Sequence, residues 1–259
     1  MYSKHNSHQS RELETAIIAA KAGAERALRY YGKEIDISVK TDKSIVTIAD
    51  KESEDIIKEC ILSCFPNAKF VAEESEGSRS EKEFWIIDPV DGSRNFSKGI
   101  PIWSALISLC RDGEIILGVC YYPLLDILVY AEKGKGSICN GKKLQVSTVS
   151  KISDAYVTLG SPKRFDNKQI IINLIDSCSA VRCPDSNYSS CLTAMGKVDA
   201  VIDSYGQIWD IAPFKVIIEE AGGKLTNWQG KRWSIKDVGY IATNGILHKK
   251  VLELVNRTT

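Results

Sequence analysis

From Arg11 to Tyr31 apolar residues recur every three or four positions, at Leu13, Ile17, Ala20, Ala24, Leu28 and Tyr31. That spacing lines one face of an α-helix, and Gly32 follows as a stop. Ile45-Val-Thr-Ile48 reads as a short strand or extended loop. Asp50 stands where it would cap a second helix, whose apolar face is Ile56, Ile57, Cys60, Ile61 and Cys64. Phe65-Pro66 closes that helix. Between Lys69 and Gln145 the pattern turns to short β-rich runs, predicting strands over 69–72, 84–87, 104–111, 114–121 and 127–131. Asp112-Gly113 joins two of these runs with the residues of a two-residue hairpin turn. After Ser150 strands alternate with helices. Strands fall near 155–160, 180–182, 199–203 and 239–243, and helices near 168–177, 189–196, 210–221 and 246–256.

The pattern predicts an α/β (α+β) fold. Residues 1–147 place helices on a large, mostly antiparallel sheet, residues 148–259 form a smaller α/β part, and the seam falls at 142–153. The two parts are expected to form one compact unit. With 259 residues, 44% of them hydrophobic, the chain can bury a substantial core. Its 34 lysines and arginines against 33 acids leave a net charge of +1 and no basic stripe, so nucleic acid is not expected as a partner. Apolar runs such as 115–125 contain turn formers and fall short of the roughly 20 residues that span a bilayer. Met1 to Ser10 is polar, so a cytoplasmic protein without a membrane partner is expected. The eight cysteines form no CxxC or zinc-ligand spacing and read as reduced, buried thiols. His5, His8 and His248 fall in a polar tail and a terminal helix, where solvent-facing positions are expected, and no histidine base is assigned.

The chemistry lies in the carboxylates. Ile86-Ile87 reads as a buried strand running into Asp88, and Pro89 then imposes an extended or turn conformation before Asp91-Gly92. Two acids thereby emerge at one strand end. Glu73 and Glu74 end the run Phe70-Val-Ala72 in the same way, and Asp210 follows Ile208-Trp209. Carboxylates gathered beside apolar segments repel one another and lose solvation, which calls for a cation. Magnesium, which keeps waters and binds phosphates, suits oxygen ligands of this kind. Taken alone, Asp91-Gly92 fits a simple turn equally well, and Asp210 before Ile-Ala-Pro213 fits a helix N-cap with proline in the first turn. Gly92-Ser-Arg-Asn supplies a helix start able to hold a phosphate, and the Ser93 hydroxyl can orient a water.

Together, Ala72-Glu-Glu-Ser75, Asp88-Pro-Val-Asp-Gly-Ser-Arg-Asn-Phe96 and Trp209-Asp-Ile-Ala-Pro213 resemble the three signature motifs of the inositol monophosphatase family, in order and spacing. Weaker similarity runs through 46–50, 134–147 and 219–223. The resemblance implies a layered αβαβα sandwich and magnesium-dependent hydrolysis of a phosphate monoester without a phosphoenzyme. By the same resemblance, Glu73, Asp88 and the Val90 carbonyl hold a first ion that activates water. Asp88, Asp91 and Asp210 hold a second that steadies the leaving oxygen, and Glu73 approaches a weaker third. Ser93 and Asp50 supply the hydroxyl–carboxylate pair, and the amides of Gly92 and Ser93 grip phosphate. The polar loop Lys40–Ser44 corresponds to one that closes near the metals. Lithium sensitivity and a homodimer are further implications. Two positions depart from the family pattern: Ala72 replaces a usual glycine, and Ser93 a usual threonine.

The alcohol released is less legible. Asp203, seven residues before Asp210, matches the acid that inositol-directed members aim at sugar hydroxyls. Gly99-Ile-Pro-Ile-Trp103 and Arg182-Cys-Pro-Asp185 look like the histidinol-phosphate branch, in which an acid meets the substrate amine. Lys163, Arg164 and Arg182 offer charges for the second phosphate of fructose 1,6-bisphosphate, or are plain surface charges. Inositol monophosphate is the favoured substrate. A catalytically idle relative that binds a protein partner is the non-enzymatic alternative, against which the complete ligand set argues.

Overall fold

The computed structural model describes residues 9–34, 38–39, 45–75, 77–184 and 186–257. Lys40–Ser44, His5, His8 and Asp185 lie outside the described residues. Helix α1 (Arg11–Leu28) starts where the Ser10 hydroxyl accepts the Leu13 amide at 3.1 Å. Its buried face is built of small residues, Ala16, Ala20, Ala24 and Ala27 around Leu13. At Gly23 a Cβ would come within 2.5 Å of Ile57, so glycine there lets the next long helix lie close. A short ribbon, β1 (Ser38–Val39) and β2 (Ile45–Val46), leads into that helix, α2 (Ile48–Cys64). Thr47 is extended and caps it, so Asp50 is not the N-cap that the sequence suggested. It is the third helical residue, accepting the Thr47 amide at 2.8 Å and the Thr47 hydroxyl at 2.6 Å.

The larger sheet runs in the order β3 (Phe70–Ala72), β4 (Glu83–Asp91), β5 (Ser104–Arg111), β6 (Glu114–Tyr122), β7 (Ile127–Glu132), β8 (Ser137–Cys139) and β9 (Lys142–Lys143). A short helix, α3 (Ser93–Ser97), follows β4. Only the β3–β4 pairing is parallel. Asp112 (φ 50°) and Gly113 (φ 76°) are both left-handed, which makes the β5–β6 link the two-residue turn expected.

The second half supplies β10 (Tyr156–Leu159), α4 (Gln169–Ser177), β11 (Ala180–Arg182), α5 (Ser186–Ala194), β12 (Ala200–Asp203), α6 (Ile208–Glu220), β13 (Lys224–Thr226), β14 (Tyr240–Thr243) and α7 (His248–Val255). Its sheet order is β11-β10-β12-β14-β13, parallel through β11, β10 and β12 and antiparallel at β14 and β13.

Three buried clusters define the layers. Ala16, Ala20, Ile57 and Ile61 of α1 and α2 pack on Trp85, Ile87 and Ile107 of the larger sheet. The opposite face of that sheet, with Phe84, Ile86 and Leu106, meets Cys191 of α5 and Ile211, Phe214 and Ile218 of α6, which also cover Val201 and Tyr240 of the smaller sheet. The far face of the smaller sheet carries α4 and α7 on Val157, Ile202 and Ile241. The layering is therefore αβαβα. Helix α6 lies so near β6 that a Cβ on Gly118 would stand 2.5 Å from the Pro213 carbonyl oxygen. Among the described residues no helix is long and apolar enough to cross a membrane.

His248 does not face solvent as its place in a terminal helix suggested; it is 2% exposed. Its ring nitrogens each meet a hydroxyl at 3.0 Å, Nδ1 with Thr243 and Nε2 with Thr226. Burial, with a smaller effect from the charge of Lys224, pushes its pKa down to about 4. The unfolded chain therefore takes up a proton near pH 6.5 that the folded chain refuses until about 4. Stability conferred by this neutral ring is present above that upper value and is lost as pH falls through the window. Denaturant titrations across it should show a shallower pH slope for His248→Gln than for the parent chain. Identical slopes would dismiss the buried ring as a source of acid lability.

Candidate metal centre

The acids reach one point through an irregularity in β4. Side chains of a regular strand alternate, so residues three apart face opposite sides. Here Asp88 pairs with Leu106 and Asp91 with Ser104, so three steps along β4 match two along β5. One extra residue is inserted, a β-bulge, and it returns Asp91 to the face that carries Asp88. Pro89 suits such a place because it has no N–H to give a ladder. The sequence expectation of a strand ending at Asp88 is thus corrected: β4 continues through Asp91.

Phe84 and Ile86 face α6, so Asp88, next in their alternation, does too. In α6, Gln207 takes the N-cap position and Asp210 is the third helical residue, its carboxylate accepting the Gln207 amide at 2.7 Å. Pro213 falls inside the helix, so the expected cap at Asp210 with a first-turn proline is also corrected. Asp50 and Asp210 share one cause: an acid at the third helical position bonds back to the cap residue and mimics a cap in sequence.

Carboxylate oxygens of Asp88, Asp91 and Asp210 lie within 4.8 Å of one another. Glu73, carried just past β3 by a bond from its amide to the Ile87 carbonyl (3.2 Å), reaches hydrogen-bonding range of Asp88. Asp88 is 2% exposed. Burial first, and then the charges of Glu73, Asp91 and Asp210, hold its carboxyl well above the usual range. Burial, with help from the charge of Asp203, pushes Asp210 up to about 6, although the Gln207 amide, Asp88 and Arg164 pull it down. Four acids in mutual repulsion, all with oxygen donors, match what a hard divalent cation neutralises.

Beside them Ser93 has its hydroxyl 3.2 Å from Asp50 Oδ1 and 3.0 Å from the Val90 carbonyl. Asp50 is fully buried, and burial raises its pKa against the hydrogen bonds from Thr47 and Ser93. Gly92 precedes α3 in a left-handed conformation (φ 84°), which glycine adopts without strain. Ala72, the departure from a usual glycine, is an ordinary buried strand residue.

The profile of the inositol monophosphatase family matches residues 8–259. The chain belongs to that family. Its members are phosphatases that hydrolyse phosphate monoesters, and the family is metal-dependent. A protein named fructose-1,6-bisphosphatase/inositol-1-monophosphatase from Aquifex aeolicus is 35% identical over 95% of both chains. A histidinol-phosphatase of Mycobacterium tuberculosis is 31% identical, covering 93% of this chain and 97% of its own. Among solved structures, an IMPase of Thermotoga maritima superimposes with a TM-score of 0.89 at 30% identity, over 95% of this chain and 97% of that one.

Inositol monophosphatase relatives thus divide by substrate name. Asp203, 3% exposed, accepts the Tyr205 amide at 3.2 Å and acts electrostatically on Asp210. Arg164 is exposed and stacks 4.7 Å above the Tyr205 ring, and its charge weakly lowers the Asp210 pKa. Arg182 is exposed and donates to the Val181 carbonyl at 2.9 Å; no described contact joins it to the carboxylates. Two contacts escaped sequence reasoning: Asn187 Nδ2 donates to Asp91 Oδ1 at 2.7 Å, and Ser104 donates to Asp91 Oδ2 at 3.1 Å. Neither residue lies in an acidic motif, so no local signal marked them.

Proposed function

We propose that this chain hydrolyses a small phosphate monoester, with inositol monophosphate as the favoured substrate, using two to three magnesium ions. The convergence of Asp88, Asp91 and Asp210 within 4.8 Å carries the reading. Glu73, Asp88 and the Val90 carbonyl would hold one ion, Asp88, Asp91 and Asp210 a second, and Glu73 would approach a third. Bound there, such ions supply Lewis acidity and lower the pKa of water.

The chain's own groups do the rest. Thr47 fixes Asp50 with two hydrogen bonds, and Asp50 accepts a hydrogen bond from the Ser93 hydroxyl, leaving the serine lone pairs to receive a hydrogen bond from the attacking water. The Gly92 and Ser93 amides, at the first turn of α3, hold the phosphoryl oxygens. Asn187 and Ser104 keep the Asp91 carboxylate from rotating. Asp203 would accept hydroxyl protons of a polyol, which favours inositol.

Arg164 supports a second reading. A guanidinium stacked on Tyr205 near Asp210 suits the distal phosphate of a bisphosphate such as fructose 1,6-bisphosphate. Phosphate release from inositol 1-phosphate, fructose 1,6-bisphosphate, histidinol phosphate and adenosine 3′,5′-bisphosphate, each with magnesium or with EDTA, separates these. The expected result is magnesium-dependent turnover that is fastest on inositol 1-phosphate. A preference for fructose 1,6-bisphosphate that Arg164→Met abolishes would select the second reading, and equal rates in EDTA would sink both.

A further inference from the structure

One face of α2 carries Asp50, Ser53, Glu54 and Lys58, spaced as neighbours on a helix. Each reaches a different part of the acidic centre's scaffold. Asp50 holds Ser93, and the Ser53 hydroxyl donates to the Pro89 carbonyl at 3.3 Å inside the β4 bulge. Glu54 is the least expected member, a carboxylate only 2% exposed that belongs to no acidic motif. Its Oε2 accepts the Glu74 amide at 2.9 Å, while Lys58 binds Oε1 at 2.7 Å and also donates to the Ser75 hydroxyl.

The turn that follows β3 is therefore gripped at two consecutive residues, one by β4 and the next by α2. The Glu73 amide is tied to Ile87 of β4, and the Glu74 amide to Glu54 of α2. With both peptide planes fixed, the Glu73 side chain has one direction to leave the backbone, toward Asp88. Resting on the proposed role of Glu73 as a metal ligand, we infer that Glu54 is a positioning residue that aims Glu73 at the cation. A buried acid is costly unless it is paired, and Glu54 is paired on one oxygen by Lys58 and on the other by the Glu74 amide.

The test varies the acceptor at position 54 in a Lys58→Met background, so that no cation is left unpaired. Glu54→Gln keeps an oxygen for the Glu74 amide, Glu54→Met fills the space without one, and Glu54→Asp falls one methylene short. Manganese binding to the full chain is measured without substrate by calorimetry and electron paramagnetic resonance, with Glu73→Gln in the otherwise unaltered chain as the control and with thermal unfolding in EDTA. The Gln variant should bind within a few-fold of the Lys58→Met parent, and the Met and Asp variants roughly ten- to hundredfold more weakly, the usual loss when an outer partner of a metal ligand is removed. If the Met variant fails to fold, the Gln–Asp comparison decides. Parental affinity in the Met or Asp variant, with Glu73→Gln weakened, overturns the positioning role. Unweakened binding by Glu73→Gln overturns the ligand role of Glu73 instead.

Discussion

Asp88→Asn should abolish magnesium-supported phosphate release and, in the same protein, raise the thermal stability of the metal-free fold. The two effects share one cause. Asp88 is buried among Glu73, Asp91 and Asp210, and its ionisation is opposed first by lost solvation and then by their charges. An asparagine removes that charge while retaining an oxygen for the Val90 amide, which Asp88 Oδ1 now accepts at 3.1 Å. The bulge should therefore persist, relieved of repulsion. A cation, in contrast, would lose the one carboxylate that both proposed positions share. A bound ion contributes several kcal/mol of transition-state stabilisation, so turnover should fall roughly a thousandfold or more. The checks are phosphate release at saturating magnesium and unfolding in EDTA. Near-normal turnover would remove Asp88 from the metal set; an unfolding temperature below the parent's would show that the acids do not strain the empty site. Added magnesium should stabilise the parent chain strongly and the variant little, because a ligand stabilises only the state that binds it.

What the sequence could and could not announce follows from the range of the forces involved. Strands whose alternation and turns are local were read closely: Ser104–Arg111 has the predicted bounds, and Asp112-Gly113 makes the predicted turn. The layered sandwich was legible because the acidic motifs resemble a family. Features set by partners distant in sequence were not. The bulge that turns Asp91 toward Asp88 depends on register against Ser104 and Leu106, which no window of β4 contains. Lys224–Thr226 is three residues long and becomes a strand only by pairing with β14. His248 was placed outside because it falls in a terminal helix, yet two threonine hydroxyls make a buried site for the neutral ring. Glu54 sits four residues after Asp50 on the same helical face. That spacing was visible, but only the fold shows that the face looks toward the Glu74 amide.

Metal uptake should release protons and tighten as pH rises through about 6, the value to which burial and Asp203 push the Asp210 carboxyl. Below it Asp210 holds a proton that an entering cation must displace, so affinity should weaken about tenfold per pH unit for each proton displaced. The metal-free fold moves the other way. The unfolded chain gives up this proton near its ordinary value of about 4, while the folded chain keeps it to about 6. Between those values the folded state binds more protons, so the stability due to this group is present at the acid end and is lost as pH rises. His248 contributes with the opposite sign over an overlapping range, which is why its effect must be taken against a variant at each pH. A cation cancels the repulsion that develops among the ionised acids, so the stabilisation it confers should grow across the same window. Calorimetric titration with manganese in buffers of different ionisation enthalpy counts the protons directly. More should be released at the acid end than above neutrality; an affinity and a proton count that ignore pH would mean that the cation does not enter among Asp88, Asp91 and Asp210.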